Sequence, residues 1–518
     1  MCVAVWCGRQ FAGAGLAVEA QLWLISETTN DVELPTKPPT PHRDSTSTTN
    51  LPLWINNEAV HTSSTIPVTQ ATSAPIVHHA SSASVKDATK AANTSWTAFK
   101  SWRTTTHVFR RDLILCVAAY FELHAEDFVA WQIEETSCTE TWAKQNVTLS
   151  LSFPPHVSYL KEIAAQVSSV TGVIPPTEKP NTIGFVFKEP IGPILCIAPW
   201  NAALVLATRG IASAIAVGCT VVFKASELCP KTHLGITHAF TSSSAPPGVL
   251  NQIQCRREDA AEITETLIAH DSIRKIEFIG SAALGGKCPA LVLDDADLQE
   301  AANQCALGAV LHHGQICFST ERIIVFESVA ELPARAGDPT ADTEDFQDLL
   351  IKAMQGLGEK GVAGSAVSEG IAAHASDIIR DAQDHGDSVL VGAISSNPPT
   401  LSLNPTIIRS PSSSSRILDE ETFGPSASLY IVSSDAEAIT LANSSAYGLN
   451  ATVWTRDMSR FLAMSRELEY GQVHANSISV YTSPTASQGG VKGSGFGRQN
   501  GRWGLEEFVV DKFVSWCG

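Results

Sequence analysis

The sequence predicts an α/β protein built from parallel sheets that are covered by helices on both faces. From residue 184 onward, strand-like apolar runs alternate with helical ones, and the strands are unbroken apolar runs. Such runs are typical of strands buried on both faces of a parallel sheet. A second block of the same kind extends from residue 288 to about residue 455. With 518 residues, 44% of them hydrophobic and 17% charged, the chain can bury a large core in two or three domains.

The composition excludes several classes of function. A net charge of -18, with no block of Lys or Arg, argues against binding to nucleic acid or to an anionic membrane surface. We therefore expect a small molecule or a protein as the partner. The twelve cysteines include no Cys-x-x-Cys pair, so neither a zinc cluster nor a disulfide scaffold is indicated, and no metal site is expected.

The first 52 residues are expected to be a disordered or atypical tail, because residues 27–50 are dense in Pro, Ser and Thr. The first 25 residues are apolar enough for a signal peptide, but they lack a basic start and Glu19 interrupts them. The uncharged run 191–208 is long enough to span a membrane, but its two prolines and its asparagine favour a buried strand, a loop and a helix start. We therefore expect a soluble, cytoplasmic protein.

The individual elements follow from the spacing of apolar residues. From Ser84 to Cys138 this spacing predicts amphipathic helices. After them we expect, in order, a strand in GFVFKEP (184–190), a strand in GPILCIAPW (192–200), a helix in 204–218, a strand in CTVVFKAS (219–226) and a helix in 233–240.

The stretch between the apolar runs KIEFIG and CPALVL poses a problem of connection. The first run ends at Gly280 and the second begins at Cys288, which leaves seven residues between them. A crossover between parallel strands needs roughly a dozen residues or more, usually including a helix. Either the two runs are not neighbours in one parallel sheet, or an element that should lie between them is absent.

The segment HHGQICFSTERIIVF (312–326) contains a candidate nucleophile. Cys317 lies between a glycine-containing turn and a strand-like run, where nearby helix N-H groups can favour the thiolate. A buried structural cysteine is the alternative. His312 and His313 could pair with this cysteine, but no orienting third group is evident, so cleft-lining histidines are the alternative for them.

Polar residues also follow two of the predicted buried strands. Asn201 could donate its amide to a developing oxyanion, or it could cap a helix. Lys224 and Glu227 follow the next strand, at the edge of a parallel sheet where ligands bind. They suit the hydroxyl groups of a nucleotide ribose, with a solvated ion pair as the alternative. The glycine cluster 489–498 follows no strand pattern and is expected to be a close-packed loop rather than a dinucleotide fingerprint.

In order along the chain, several segments together resemble the aldehyde dehydrogenase superfamily, and the resemblance covers residues 53 to 518. The segments APWNA and KASELCPKTH look most like the salicylaldehyde and vanillin dehydrogenase branch, which implies an aromatic aldehyde as substrate. The segments that carry the resemblance are GPILCIAPWN, VVFKASE, PPGVLN, FIGS, LGGKCPALVLDDADL, GQICFSTERIIV, EETFGP, ANSSAYGLNATVWTRD, GQVHAN and GGVKGSGFGR.

The resemblance implies a reaction at Cys317. This residue would attack the aldehyde carbonyl, and Asn201, with the backbone N-H of Cys317, would hold the oxyanion. Hydride transfer to a nicotinamide would leave a thioester on the cysteine. Trp200, next to Asn201, belongs to the cofactor-binding residues that the resemblance implies.

The remaining cofactor-binding residues are also carried over from the family motifs. Lys224 and Glu227 would hold the adenosine ribose, while Glu421 and Phe423 would position the nicotinamide ribose and ring. Ser281, in FIGS, matches the residue that opens the helix facing the pyrophosphate. Because an acid at Glu227 repels a 2'-phosphate, NAD is favoured over NADP.

The chain departs from the family pattern at the short join. In the family, FIGS is followed by a helix and by a strand ending in Leu-Glu-Leu-Gly-Gly-Lys, and the glutamate of this motif is the general base. Here Ala283 occupies its position, and alanine cannot accept a proton. Gln499 and Asn500 stand where some members carry another acid, and Gln488 stands in ASQGGVKG, where Pro-Phe is common before the glycines.

The departure at the join has three interpretations. In the first, the sequence lacks a segment present in a working relative, through a mis-joined gene model, so that the family's chemistry is still the right assignment. Alternatively, the protein binds NAD poorly and acylates Cys317 without efficient turnover, or the acyl group leaves to coenzyme A. Two rival functions follow: a catalytically impaired binding or scaffold protein, and an esterase that uses Cys317 without a cofactor.

The resemblance also implies a division of the chain into domains. An NAD-binding, Rossmann-type α/β domain would comprise residues 53–170 and 188–287, with one helix and one strand missing near 281–284. An α/β catalytic domain would comprise residues 288–480. A small β oligomerisation element would combine residues 171–187 with 500–518. Because an unpaired apolar terminal strand would leave an exposed edge, we expect a homodimer or homotetramer.

Overall fold

The computed structural model describes residues 50–71, 75–150, 158–280, 285–330, 345–394 and 401–518. The predictions for the N-terminal tail up to residue 49, and those for Ser281 and Ala283, therefore lie outside the described residues.

The α-helices of the described residues begin and end as follows: α1 (Val85–Trp102), α2 (His107–Leu123), α3 (Ala125–Thr136), α4 (Glu140–Ser150), α5 (Tyr159–Gln166), α6 (Ala203–Ala216), α7 (Pro230–Ser242), α8 (Ala260–Ile268), α9 (Leu298–Val310), α10 (Glu327–Ala330), α11 (Phe346–Glu359), α12 (Glu369–Asp384), α13 (Asp435–Asn443), α14 (Met458–Glu467) and α15 (Gly501–Glu506).

The β-strands of the same residues are β1 (Asn50–Leu51), β2 (Leu53–Ile55), β3 (Glu58–Val60), β4 (Thr65–Thr69), β5 (Ile76–Ser81), β6 (Thr182–Pro190), β7 (Pro193–Ile197), β8 (Thr220–Lys224), β9 (Leu250–Ile253), β10 (Lys275–Phe278), β11 (Cys288–Val292), β12 (Thr320–Phe326), β13 (Ser388–Val391), β14 (Thr406–Arg409), β15 (Ser426–Val432), β16 (Tyr447–Gly448), β17 (Asn450–Trp454), β18 (Gln472–Ala475), β19 (Val491–Lys492) and β20 (Val509–Cys517).

One sheet has six described strands in the order β10-β7-β8-β9-β2-β3. The strands β10, β7, β8 and β9 are parallel, and helices α6, α7 and α8 connect them in chain order. The chain passes from β7 to β8 and β9 on one side, and then returns to place β10 on the other side of β7. The position between β7 and β10 is therefore a topological switch point, where open α/β sheets bind ligands at the carboxyl ends of their strands.

Helix α6 packs into the core beside this sheet. Every one of its residues except Leu206 is buried, and Arg209 is the charged residue in its otherwise uncharged sequence. A helix that is apolar all round belongs in a core. Its position just after β7 fixes the direction of the loop that carries Trp200 and Asn201.

A second sheet has seven described strands in the order β13-β14-β15-β12-β11-β17-β18. Its strands are parallel except for β13, which pairs antiparallel with β14. The central strands β11, β12 and β17 are buried along their whole length. This burial explains the apolar runs within these strands, although β12 also buries Glu321 and Arg322.

The two runs on either side of the short join lie in different sheets. Strand β10 pairs with β7 in the six-stranded sheet, whereas β11 lies between β12 and β17 in the seven-stranded sheet. They are not neighbours in one parallel sheet, so no parallel crossover has to fit between Gly280 and Cys288. Strand β10 is poorly covered, because Ile276 and Phe278 are 39% and 46% exposed.

Strands β6 and β20 form a separate antiparallel ribbon, in register from Val509 opposite Pro190 to Cys517 opposite Thr182. This pairing joins the two segments that the sequence assigned to a small β element. The ribbon carries apolar side chains with large exposed areas, namely Ile183, Phe187, Phe513 and Trp516.

The local predictions agree closely with these elements. Helices α1 to α3 occupy the region from Ser84 to Cys138, and β6, β7, α6, β8 and α7 follow in the predicted order. The glycine cluster 489–498 is close-packed, since a Cβ added at Gly489 or Gly490 would overlap neighbouring backbone or side-chain atoms. In the described part of the chain, no helix combines the length and the apolar character that crossing a membrane requires.

Candidate active site

A cavity of about 1480 Å³ opens between the two large sheets. The six-stranded sheet contributes the residues that follow the carboxyl ends of β7, β8 and β10. The seven-stranded sheet contributes residues that precede the amino ends of β11, β12, β15 and β17. The predicted residues that line this one cavity are Trp200, Asn201, Lys224, Glu227, Cys317, Glu421 and Phe423.

Lys224 and Glu227 lie on the side of the cavity formed by the six-stranded sheet. Lys224 ends β8 and Glu227 lies three residues later, and both side chains are partly buried. Both lie at the carboxyl end of β8, which pairs with β7, so an ammonium donor and a carboxylate acceptor line a cavity at the ligand-binding edge of a parallel sheet.

The loop that carries Cys317 is held in a fixed conformation from both sides. His312 and His313 have φ angles of 50° and 60°, which are uncommon outside glycine, and Gly314 follows at 71°. A Cβ at Gly314 would overlap the backbone of Gly424, so the cysteine loop packs directly against the loop that carries Glu421. Beyond the cysteine, Ser479 Oγ donates to the Phe318 carbonyl oxygen at 2.6 Å.

The thiol of Cys317 reaches the cavity but is poorly solvated. Burial, together with the nearby carboxyl group of Glu421, raises the pKa of the thiol to about 12. Arg209 and the backbone N-H groups of Cys317 and Phe318 act in the opposite direction and stabilise the thiolate. The cysteine is therefore a neutral thiol at rest, and it needs a proton acceptor to become the nucleophile.

Asn201 lies in the loop between β7 and α6, on the same side of the cavity as Trp200. Its Nδ2 donates to the Gln315 carbonyl oxygen at 2.9 Å, while Trp142 Nε1 donates to the Asn201 backbone oxygen at 2.8 Å. An asparagine amide carries two donors, so one N-H remains available for an oxyanion. Because the first N-H is bonded two residues before Cys317, the amide is fixed close to the nucleophile.

The expectation that His312 and His313 line the cleft is wrong. They are 2% and 1% exposed and stand outside the cavity lining. His312 stacks on Trp142 with ring centroids 5.0 Å apart, and the Leu403 N-H donates to Nε2 of His313 at 3.4 Å. Burial lowers the pKa values of the two rings to about 3 and about 4, so both are neutral. The left-handed backbone turns these rings into the core instead of towards Cys317.

Glu421 is 8% exposed, and Gly286 N-H donates to its Oε1 at 2.9 Å. Burial, and secondarily the charge of Glu321, raises the pKa of its carboxyl group to about 8. Phe423, two residues later, has a φ angle of 50° and meets Trp200 edge to face, with ring centroids 6.2 Å apart. A bulky side chain in this left-handed conformation is strained, and such strain is often found in ligand-binding loops.

A buried ion pair fixes the two loops around Glu421. Lys287 Nζ lies 2.7 Å from Glu321 Oε2, and the two side chains are 0% and 1% exposed. The same carboxylate accepts the backbone N-H groups of Thr422 and Phe423. Sequence reasoning missed this pair, because only tertiary structure brings residues from two segments together here.

Arg209 is a further residue that sequence reasoning missed. It is 3% exposed, lines the cavity and donates from Nη1 to Gln488 Oε1 at 2.7 Å, while Nε lacks a described partner. Gln488, which departs from the family pattern, therefore holds a buried cation beside Cys317. A charged residue inside the apolar sequence of α6 was the pattern that could have indicated it, since buried arginines are rare unless paired.

The apolar part of the cavity is rich in aromatic side chains. The lining residues of this kind include Trp142, Trp200, Phe318 and Tyr481, with Leu449 and Val480 beside them. Flat rings of this kind suit a planar apolar ligand. Among the described residues, no group of three or more His, Cys, Asp and Glu side chains could hold a metal ion.

Comparisons with known proteins agree with this architecture. The aldehyde dehydrogenase family model matches residues 54–514. Salicylaldehyde dehydrogenase of Pseudomonas putida is 35% identical over 89% of this chain and 97% of its own length. Vanillin dehydrogenase of Pseudomonas fluorescens is 34% identical over 85% of this chain and 92% of its own length.

Solved structures show the same fold. The crystal structure of a salicylaldehyde dehydrogenase from Pseudomonas putida G7, complexed with salicylaldehyde, has a TM-score of 0.83 at 33% identity, covering 90% of this chain and 98% of that chain. A betaine aldehyde dehydrogenase mutant from Staphylococcus aureus, in complex with NAD+, has a TM-score of 0.80 at 25% identity, covering 90% and 97%. The predicted family is confirmed: the chain belongs to the aldehyde dehydrogenase family.

Proposed function

We propose that the protein oxidises an aromatic aldehyde to a carboxylic acid with NAD, through a thioester on Cys317. The observation that carries this proposal is that Cys317, the Asn201 amide and the pair formed by Lys224 and Glu227 open into one cavity. A nucleophile, an oxyanion donor and a binding site for the nucleotide are three of the parts that this reaction needs.

The chain's own residues account for the covalent step. The Cys317 thiol loses its proton to water, the sulfur then adds to the aldehyde carbon, and the carbonyl oxygen takes the negative charge. Asn201 Nδ2, with its second N-H, and the backbone N-H of Cys317 are donors suited to that oxyanion. After oxidation, water cleaves the resulting thioester, which releases the carboxylic acid and frees the cysteine.

The residues on the six-stranded side fit NAD. Lys224 and Glu227 would hold the adenosine ribose, and Trp200, Glu421 and Phe423 would enclose the nicotinamide half. When bound, NAD accepts the hydride that converts the cysteine adduct into the thioester. A cavity larger than ordinary small-molecule pockets, which measure roughly 300 to 1000 Å³, has room for a dinucleotide and an aldehyde together.

The choice of NAD over NADP rests on Glu227. A carboxylate at a ribose seat accepts hydrogen bonds from a free 2'-hydroxyl group and repels a 2'-phosphate. On the loop that follows β8, Lys224 is the cation that lines the cavity among the described residues, and it lies three residues before Glu227.

The substrate class rests on the lining and on the relatives. Trp142, Phe318 and Tyr481 form flat apolar surfaces around the approach to Cys317. Two of the similar proteins are named for salicylaldehyde and vanillin, which are both aromatic aldehydes.

We also propose that the protein is a homodimer or homotetramer of the cytoplasm. The ribbon of β6 and β20 exposes Ile183, Phe187, Phe513 and Trp516, a set of side chains that a second copy could cover. All ten described cysteines are free, which suits a reducing compartment.

The deciding experiment follows absorbance of reduced nicotinamide when purified protein is mixed with salicylaldehyde and NAD. Sustained turnover, lost in Cys317→Ala, is the expected result. A single burst equal to the amount of Cys317 would place the defect at thioester hydrolysis. No signal with either NAD or NADP, from folded protein, would overturn the proposal and favour a scaffold that keeps the family's shape.

A further inference from the structure

The Glu421 carboxyl group and Cys317 are separated by two glycines. Gly286 N-H donates to Glu421 Oε1, a Cβ at Gly285 would overlap the same carboxyl group, and a Cβ at Gly286 would overlap the Cys317 carbonyl oxygen. No other residue type fits between these groups without moving them. The Glu421 carboxyl group and the backbone of Cys317 therefore pack against the same pair of glycines, and both residues line the cavity.

Among the described residues, no cation forms an ion pair with Glu421. The positive charge of Lys287 acts on it, but the ammonium group is bonded to Glu321, whose negative charge repels that of Glu421. The charge of Glu421 also acts on Tyr447, Cys317 and Cys288. Burial without a dedicated cation holds the pKa of Glu421 at about 8, within the range useful for general-base catalysis near neutral pH.

A second carboxyl group of the cavity is engaged elsewhere. Glu277 Oε1 accepts a hydrogen bond from Gln499 Nε2 at 2.6 Å, and the charge of Arg209 acts on the same carboxylate. The Cys317 thiol interacts with Glu421 rather than with Glu277. Of these two acids, Glu421 is the one whose charge acts on the Cys317 thiol.

We propose that Glu421 is the general base that activates water for hydrolysis of the acyl group on Cys317. This inference rests on the proposed function, because it requires an acyl-cysteine. Water attacks the acyl carbon, and its proton passes to the Glu421 carboxylate. The carbon-sulfur bond then breaks, the carboxylic acid leaves, and the proton moves from Glu421 to the departing thiolate, so that the site is restored.

The test uses an ester, which acylates Cys317 without NAD. The full-length protein is mixed with 4-nitrophenyl acetate, and release of 4-nitrophenolate is followed through the burst and the steady state. In the wild type, we expect steady-state hydrolysis to rise with pH through about pH 8, because only the carboxylate form of Glu421 accepts a proton. In Glu421→Gln, we expect the burst to remain, the steady-state rate to fall by about 10²-fold or more, and the rise near pH 8 to disappear.

The controls separate this role from others. Glu437→Gln removes a carboxylate that is bonded to Ser433 on the protein surface, and it should leave both phases unchanged. Cys317→Ala should abolish the burst. If Glu421 served only to hold a nicotinamide ribose, Glu421→Gln would hydrolyse the ester with the wild-type rate and pH profile, and the inference would be overturned.

Failure of the inference and failure of the proposed function give different results. If Cys317→Ala hydrolyses the ester as fast as the wild type, the proposed cysteine chemistry fails. If Cys317→Ala is inactive but Glu421→Gln behaves as wild type, only the role of Glu421 fails. If Glu421→Gln does not fold, the pH dependence of the wild-type protein still tests the inference. A steady-state rate of ester hydrolysis that does not change between pH 6 and pH 10 would contradict a general base with this pKa.

Discussion

The two large sheets face the cavity with opposite ends of their strands. The six-stranded sheet presents carboxyl ends, followed by Trp200, Asn201, Lys224 and Glu227, whereas the seven-stranded sheet presents amino ends, preceded by Cys317 among others. The first arrangement is the general rule for ligand sites of open α/β sheets. The second arrangement does not follow this rule, and it positions Cys317 and Glu421, the residues that we propose take part in the reaction.

The two sides also differ in how firmly their strands are covered. Strands β11 and β12 are buried throughout, and a buried ion pair fixes the loops next to them. Strand β10 carries the half-exposed side chains of Ile276 and Phe278 at the edge of its sheet. The side that supplies the proposed nucleophile is therefore well packed, and the side proposed to bind the nucleotide is weakly covered at its edge strand β10.

The largest expected effect, on kcat, tests which of the two sheets supplies the catalytic residue. Cys317→Ala should lower kcat for aldehyde oxidation by on the order of 10⁶-fold, as loss of a catalytic nucleophile does. The measurement is steady-state production of reduced nicotinamide, with Lys224→Met as the comparison. Lys224→Met should raise KM for NAD and leave kcat within about tenfold. A large fall in kcat for Lys224→Met would contradict the proposal that the six-stranded sheet binds the cofactor and the seven-stranded sheet supplies the catalytic cysteine.

The next effect concerns the buried ion pair of the seven-stranded side. Lys287→Met leaves the Glu321 carboxylate buried without its cation, which should cost about 3 to 5 kcal/mol in the free energy of unfolding. Urea denaturation monitored by tryptophan fluorescence measures this cost. Adding Glu321→Gln should restore part of it, because an amide oxygen in the place of Oε1 still accepts the N-H groups of Thr422 and Phe423. If Lys287→Met alone is as stable as the wild type, this explanation is wrong.

A pair of isoleucines compares the packing of the two sheets directly. Ile324 in β12 is 0% exposed, and Ile324→Ala should cost about 2 to 5 kcal/mol in the free energy of unfolding. Ile276 in β10 is 39% exposed, so Ile276→Ala should cost about 1 kcal/mol or less. Equal losses in the same urea experiment would show that β10 is covered in solution.

The smallest expected effect concerns cofactor choice on the six-stranded side. Glu227→Ala removes the carboxylate expected to repel a 2'-phosphate, so the ratio of kcat/KM for NADP to that for NAD should rise about tenfold. Glu437→Ala, on the surface away from the cavity, provides the control. An unchanged ratio in Glu227→Ala would show that the adenosine ribose does not bind next to this residue.

Much of the fold could be predicted because its information is local. The apolar spacing of α1 to α3, and the buried runs of β7, β8, β11 and β12, follow from neighbouring residues alone. The cavity residues on the carboxyl ends of strands were accessible to the same reasoning. Cys317 was only a weak candidate by itself, and Glu421 was identified through motifs rather than through physical reasoning, because no general rule directs attention to the amino ends of strands.

What the sequence did not reveal depends on contacts between distant segments. Arg209 meets Gln488 across 279 residues, and Lys287 meets Glu321 across 34, so neither pair forms a pattern along the chain. His312 and His313 were misplaced because their left-handed backbone, which sends the rings into the core, has no indication in the residue types.

The ribbon of β6 and β20 has a consequence for the order of folding. Thr182 and Cys517 are 335 residues apart, so β6 cannot find its partner until nearly all of the chain has been synthesised. Closing so long a loop is slow, and until then the strand that carries Ile183 and Phe187 has an open edge. During biosynthesis, this interval is when the chain is most exposed to aggregation, and a chaperone would have most to protect there.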